Sequence, residues 1–439
     1  MKPNIFLILL DSLRADTIFT KNKTCITPNL DHLISHGTSF TSAFSTADHT
    51  GISWLAILRA IFPSISNVNP YKFDSNIETF VEIFKENNFK TFCFFPDISF
   101  FNILSKKFDD SLIYEYSERE QYQKFKEKYF DELLKNIKLQ NHSNSYFNCI
   151  HLMDLKYPYS IPKQFDNTNF GKNRQDRMLS YLDQKMGELI KSIDIENSII
   201  IFSSDHGDYI PPTGKNLDEI PKIQEILKKG KNIVPSLEPL GIEVFKFLKK
   251  SNKSFNSLKS KNKFSDIQKR GFLNRNESYL FDDTINVPLI FSGKNIKNQK
   301  ISTLVRHVDI MPTISKFLNL KFNDSKYDGK DISESFVGKT INELTAYFES
   351  GPANATLEGQ VIGIRNSKFK YFRSRKDKKL NVNLYDLKND KNEERNIAEI
   401  MPKIVIEMES ELSKFFSPEN EKNNLKRSIN KKISKLKLD

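Results

Sequence analysis

Pro3-Asn4-Ile5-Phe6-Leu7-Ile8-Leu9-Leu10-Asp11-Ser12-Leu13-Arg14-Ala15-Asp16 decides how the rest of the chain is read. Ile5 to Leu10 is an unbroken apolar run that stops on Asp11. A run of this kind suits a strand of a parallel sheet covered by helices on both faces. Ligands of open α/β sheets bind beyond the carboxyl ends of the strands, where Asp11 stands. Taken alone, an Asp in that place serves equally well as a turn residue or helix cap.

Two further stretches repeat the pattern. Phe147 to Met153 is apolar and runs into Asp154-Leu155-Lys156-Tyr157-Pro158-Tyr159. Asn197 to Ser203 is apolar and runs into Ser204-Asp205-His206-Gly207-Asp208. Three buried strands that each end in catalytic residue types argue for a site at the carboxyl edge of one sheet.

Between and after these strands the chain alternates. Thr27 to Leu33 predicts a helix with Thr27 as N-cap, Pro28 at its first position and Asp31 in its first turn. Ser39 to Ser45 predicts a strand, and Leu55 to Ile61 an apolar helix closing at Pro63. Thr50 lies just ahead of that helix, where free N–H groups and the helix dipole favour an anion; an N-cap is the plainer reading of the same position. Ile77 to Asn88, Glu118 to Leu139 and Arg177 to Ile193 have helical spacing, and Thr91 to Phe95 reads as a strand. Residues 211–275 are Lys-rich and Pro-interrupted, as in an insertion or lid. A strand is expected at Thr284 to Phe291, and a helix opening within Val305 to Thr313. Short strand candidates at Thr345 to Phe348, Gln360 to Arg365 and Lys368 to Arg373 predict a small antiparallel subdomain. The division expected is a catalytic α/β domain at 1–328, a small α+β subdomain at 329–416 and a basic tail at 417–439.

Composition narrows the partners. A net charge of +12 favours anionic ones: phosphorylated or sulfated small molecules, glycans or lipid headgroups. Nucleic acid is not expected, because no recognition module or basic-aromatic interleaving is present. Cys25, Cys93 and Cys149 are three, widely spaced and without a CxxC, which favours a reducing compartment over a disulfide framework. The N-terminal apolar run is too short to span a membrane and has no signal-peptide pattern, so the chain is expected to be cytoplasmic.

Asp11, Asp205 and His206 are donors on two strand ends that can converge on one divalent cation. Thr50 Oγ1 can complete the shell. A mixed oxygen and nitrogen set suits Mn²⁺ or Zn²⁺ better than Ca²⁺ or Mg²⁺. A hydroxyl beside such an ion loses its proton more readily and becomes a nucleophile at neutral pH. His151, Lys156 and His307 are further cationic or proton-transferring candidates; a buried His is as often structural.

The chain resembles the sulfatase-like branch of the alkaline phosphatase superfamily over nearly its whole length. PNIFLILLDSLRAD (3–16) looks like the family's first strand and metal aspartate, and TPNLDHLISHGTSFTSAFS (27–45) like the segment leading to its nucleophile. SSDHGD (203–208) looks like its second metal pair. INVPLIF (285–291), HVDIMPT (307–313), YDGKDIS (327–333), IRNSKFKYF (364–372) and LYDLKNDKNEERNIA (384–398) follow in the family's order. The resemblance implies a metal at Asp11, Asp205 and His206. It also implies a mostly parallel central sheet with helices on both faces, plus a small C-terminal antiparallel sheet.

The departures bear on the chemistry. Sulfatases place Cys or Ser in a C-x-P-S-R pattern and convert it to formylglycine. The corresponding stretch here is Thr50-Gly51-Ile52-Ser53-Trp54. Threonine cannot give that aldehyde, because its methyl would yield a ketone. Trp54 stands where the family has Arg, Ser12 where it has a second Asp, and Lys156 where it has His. A Thr nucleophile with such a metal set resembles the phosphoethanolamine and glycerol-phosphate transferases, which are usually membrane-anchored. Three readings are open: a metal-dependent hydrolase or transferase cleaving a phosphate ester through Thr50; a sulfuric ester hydrolase working without formylglycine; or a catalytically weakened binder of an anionic glycan or partner.

Overall fold

The computed structural model describes residues 2–63, 78–116, 127–140, 144–156, 159–210, 270, 279–351 and 360–416. The expected insertion at 211–275, apart from residue 270, and the expected basic tail at 417–439 lie outside them. The chain divides into two compact units, Met1–Asp208 with Arg275–Asp439, and Tyr209–Asn274. Among the described residues the first unit carries a large sheet and a small one.

The large sheet is built from β1 (Asn4–Leu10), β2 (Gly37–Phe44), β3 (Phe89–Pro96), β4 (Asp110–Tyr114), β5 (Ser145–Leu152), β6 (Ser198–Ser203), β7 (Asn286–Gly293), β8 (Gln299–Ile301) and β9 (Val305–Arg306). The strand order is β4-β3-β5-β1-β6-β7-β2-β8, with β9 paired to β2. From β4 to β6 every pairing is parallel, and β7 is antiparallel to both its neighbours. The mostly parallel sheet read from the sequence is the one present.

β1 lies between β5 and β6, and its apolar run serves two cores. Ile5, Leu7 and Leu9 point into one, with Trp54, Phe84, Phe95 and Phe101. Phe6, Ile8 and Leu10 point into the other, with Leu30, Leu179, Leu182 and Met186. Successive side chains of a strand face opposite ways, so an unbroken apolar run is what a strand covered twice requires. Each such side chain contributes about 1.5–3 kcal/mol by burial.

The small sheet is antiparallel, in the order β10 (Ala346–Glu349), β11 (Val361–Arg365), β12 (Phe369–Ser374) and β13 (Asn383–Asp386). Tyr347, Ile364, Tyr371 and Leu384 pack under it with Met408 and Leu412 of the helix Pro402–Lys414.

Some boundaries move. The strand expected from Thr284 begins at Asn286, because Asp282–Ile285 is a helical turn. Thr284 Oγ1 bonds to the Phe281 carbonyl, the local bonding by which threonine competes with a ladder. The helix expected at Ile77 to Asn88 is Phe80–Glu86, closed by a capping box between Thr79 and Glu82. The expected Glu118 helix is described over Glu127–Leu139, and the Arg177 helix spans Arg174–Ser192, starting at its Asn173 cap. Thr27 does precede the helix Pro28–Ser35, yet its side chain makes no cap bond there. Among the described residues no helix is long and apolar enough to cross a membrane.

Candidate active site

The parallel register of β5, β1 and β6 brings the three polar strand ends together. Leu10 stands opposite Leu152, Leu9 opposite both His151 and Ser203, and Asp11 N–H extends the ladder to the Leu152 carbonyl at 2.8 Å. The chain then turns sharply: Ser12 sits at φ 66°, a left-handed conformation costly for a side-chain-bearing residue. Ser12 N–H donates to Asp205 Oδ1 at 3.3 Å and its hydroxyl to Asp11 Oδ1. Leu13 N–H donates to Ser204 Oγ at 2.9 Å, and that hydroxyl donates to the His206 carbonyl at 2.6 Å. The two strand ends are thereby tied to each other. Gly207 permits the exit: a Cβ there would lie 2.1 Å from the Asp283 carbonyl oxygen.

Thr50 is the first residue of the helix Thr50–Arg59, and the N-cap is His49, whose Nδ1 accepts from Gly51 N–H at 3.2 Å. The loop before it is fixed on two sides. Ser45 Oγ donates to the Asp205 carbonyl at 2.6 Å. Ala47 bridges Glu349 of β10, and Asp48 accepts from Gly351 N–H at 2.6 Å. The half-buried Thr50 hydroxyl lies 3.4 Å from Asp11 Oδ2 and 3.2 Å from His206 Nε2.

Around it, His206 Nε2 is 3.5 Å from Asp205 Oδ2, and His151 Nε2 is 3.7 Å from Asp11 Oδ2. Asp11, Asp205 and His151 are fully buried. Burial by itself would raise the Asp11 carboxyl. The His151 contact and the fields of His206 and Lys156 outweigh it and hold Asp11 well below the usual carboxylate range. Lys156 is half-buried and close enough for its charge to act on Asp11. His307 stands against Ser203, its Nε2 3.4 Å from that hydroxyl. Burial, reinforced by His206, pushes His307 down to about 3, so it is neutral at physiological pH.

The residues present fit a cation. One ligand atom each from Asp11, His151 and Asp205 lies within 4.8 Å of the others. Among the described residues Asp205 Oδ2 and His151 Nε2 are buried without a hydrogen-bond partner, a costly condition that a divalent ion, or a substrate group, relieves. This trio differs from the sequence-read set by holding His151 where that set had His206; His206 borders it through Thr50 and Asp205. Ser204 was not singled out by sequence reading and Ser12 was read only as a missing acid, although both lie inside the quoted motifs. Trp54 was read only as a missing cation, whereas its Nε1–H donates to His151 Nδ1 at 3.3 Å.

Comparison with known proteins bears on the family and the fold. The family model described as Sulfatase matches residues 3–320. No curated protein sequence matches the chain significantly. Many solved structures share the fold at low identity. The phosphonate monoester hydrolase of Agrobacterium radiobacter is 13% identical with TM-score 0.66, covering 94% of this chain and 95% of its own. A structure concerned with the metabolism of multiple glycosaminoglycans by Bacteroides thetaiotaomicron is 16% identical with TM-score 0.63, covering 94% and 99%. A third, in complex with its substrate D-glucosamine-2-N,6-O-disulfate, is 14% identical with TM-score 0.65, covering 95% and 98%.

Proposed function

The chain belongs to the sulfatase family and is an ester hydrolase of that type, and we propose that it cleaves a phosphate ester with Thr50 as the nucleophile. The observation that carries this reading is the position of Thr50 Oγ1, 3.4 Å from Asp11 Oδ2 and 3.2 Å from His206 Nε2, at the start of a helix of 10 residues.

Asp11, Asp205 and His206, with the Thr50 hydroxyl, would hold one divalent ion, Mn²⁺ or Zn²⁺ by donor type. Such an ion lowers the pKa of a bound hydroxyl and offsets charge on the ester. The protein's own groups supply the rest. The Thr50 hydroxyl directs its proton at Asp11 Oδ2. The helix start favours the substrate anion. As the Thr50 proton passes to solvent, attack by Oγ1 forms a bond to phosphorus while the bond to the departing oxygen breaks, and Lys156 gives that oxygen its proton. Water, or an acceptor alcohol, then gives a proton back to Lys156 as its oxygen displaces Oγ1 from phosphorus, and Oγ1 regains a proton from solvent, which makes the chain a hydrolase or a transferase. The catalytic α/β domain at 1–328 and the subdomain at 329–416 belong to the same proposal, the latter bracing the Thr50 loop through Glu349 and Gly351.

A sulfate ester is the second reading, favoured by the family match. Thr50 would then act unmodified on sulfur. Activity on a panel of phosphate mono- and diesters and sulfate esters, with Mn²⁺ or Zn²⁺, separates the two. Thr50→Ala should lose on the order of 10⁴-fold in turnover, while Thr50→Ser keeps measurable activity. Wild-type turnover in Thr50→Ala would remove Thr50 from the chemistry. A well-folded, metal-loaded protein inert on every ester would favour an anion-binding role instead.

A further inference from the structure

Two histidines border the Asp11 and Asp205 carboxylates, and each has its far nitrogen committed. His206 Nδ1 lies 2.8 Å from the Gly207 carbonyl oxygen. A carbonyl only accepts, so Nδ1 carries the proton and Nε2 keeps its lone pair. His151 Nδ1 lies 3.3 Å from Trp54 Nε1, with both side chains buried. An indole N–H only donates, so this nitrogen is bare and the neutral ring carries its proton on Nε2. By distance alone His151 is a third ligand beside Asp11 and Asp205. By proton count it is not, because an N–H nitrogen has no lone pair to give a cation.

We infer that Trp54 is a positioning residue that locks His151 as the Nε2–H tautomer, making it a hydrogen-bond donor into the site and leaving the nitrogen ligand's place to His206. The indole is held for this purpose. It is fully buried, with its ring edge-to-face against Phe95 at 5.2 Å, Phe101 at 5.5 Å and the His151 ring itself at 5.5 Å. The imidazole also packs against Phe101, 4.9 Å away. Neither ring can turn without opening that packing. The His151 Nε2–H has no hydrogen-bond partner among the described residues and stands 3.7 Å from Asp11 Oδ2. The ligand class this donor takes is an oxyanion: the charged non-bridging oxygen of an ester bound beside Asp11. The inference rests on the reading of Asp11 and Asp205 as a cation site, and on nothing about which ester is cleaved.

Full-length protein labelled with ¹⁵N-histidine and stripped of metal by chelation tests it through long-range ¹H–¹⁵N correlation spectra, in which protonated and bare ring nitrogens resonate far apart. The His151 signals are identified by their loss in His151→Gln. The expected pattern is a proton on His151 Nε2 and on His206 Nδ1. Trp54→Phe keeps an aromatic ring but removes the donor, and the two His151 nitrogen shifts should move toward each other. Added Zn²⁺ should shift His206 Nε2 and leave the His151 Nε2 proton in place. A bare His151 Nε2 in the wild type, an unchanged His151 tautomer in folded Trp54→Phe, or displacement of the His151 Nε2 proton by Zn²⁺ would each overturn the inference. If Trp54→Phe does not fold, the wild-type tautomer and the zinc arm still decide. Absence of any zinc response at His206, with the His151 tautomer as expected, would sink the cation site and not the Trp54 lock.

Discussion

Among the described residues, two of the buried clusters of ionised groups in the first unit are built in opposite ways. In one, Asp282 pairs with Arg365 and, at 2.8 Å, with Lys370; Lys370 also meets Glu393 at 2.6 Å. Two carboxylates face two cations, and Lys370 is fully buried between them. In the other, Asp11 and Asp205 face hydroxyls and the rings of His151 and His206 rather than a Lys–Arg pair. A cluster that only holds a fold together closes its charges internally, because an uncompensated buried charge costs several kcal/mol. The strand-end cluster leaves carboxylate charge open where three strands and a helix start converge. The difference teaches that the site is prepared for something that arrives from outside, whereas the Lys370 cluster pins the small sheet to the turn Asp282–Ile285.

Breaking each cluster in turn should therefore give opposite outcomes. Lys370→Met strands Asp282 and Glu393 beside each other. It should cost about 3–5 kcal/mol in denaturant unfolding, the usual penalty for removing one partner of a buried pair. Asp205→Asn, in metal-free protein, should leave stability level or raise it, since it removes a carboxylate beside Asp11. Equal losses from the two would erase the distinction.

A smaller effect belongs to Lys156, whose positive field acts on Asp11. Lys156→Ala should lower turnover about tenfold, or about 1.4 kcal/mol in the barrier, with the unfolding midpoint unchanged. Unaltered turnover would take Lys156 out of the site.

How much of this could be read from the sequence depended on whether a single segment carried the signal. Ile5 to Leu10, Phe147 to Met153 and Asn197 to Ser203 were legible because double-sided burial writes itself as unbroken apolar runs. Asp11, Asp205 and Thr50 could be picked out from their places at segment ends. β13 was missed because a four-residue strand, Asn383–Asp386, with a polar residue at either end has no pattern of its own and exists through its pairing with β12. The helix Pro402–Lys414 was missed for a different reason: Met408 and Leu412 are its buried residues among charged neighbours. The cap at His49 and the Trp54 to His151 bond join residues that no local spacing relates, the latter across 97 positions. The Lys370 cluster was equally invisible, its members lying on four separate segments.

The closed cluster can also be tested by pH. Burial, with Asp282 adding to it, pushes Glu393 up to about 7, against the pull of Lys370. A carboxyl with a raised folded value binds its proton more tightly folded than unfolded. Its contribution to stability is therefore present below the unfolded value and is lost as pH rises through about 7. Glu393→Gln should flatten that decline between roughly pH 5 and 8 in thermal melts. A decline of the same slope in the variant would place its origin elsewhere.

The most direct test of the open cluster is calorimetric titration of chelator-treated protein with Mn²⁺ and with Zn²⁺. The account predicts one ion per chain in the wild type, loss of binding in Asp11→Asn and in Asp205→Asn, and binding kept within a few-fold in His151→Gln. A wild type that takes up no ion, or an Asp205→Asn variant that binds as tightly as the wild type, would contradict it.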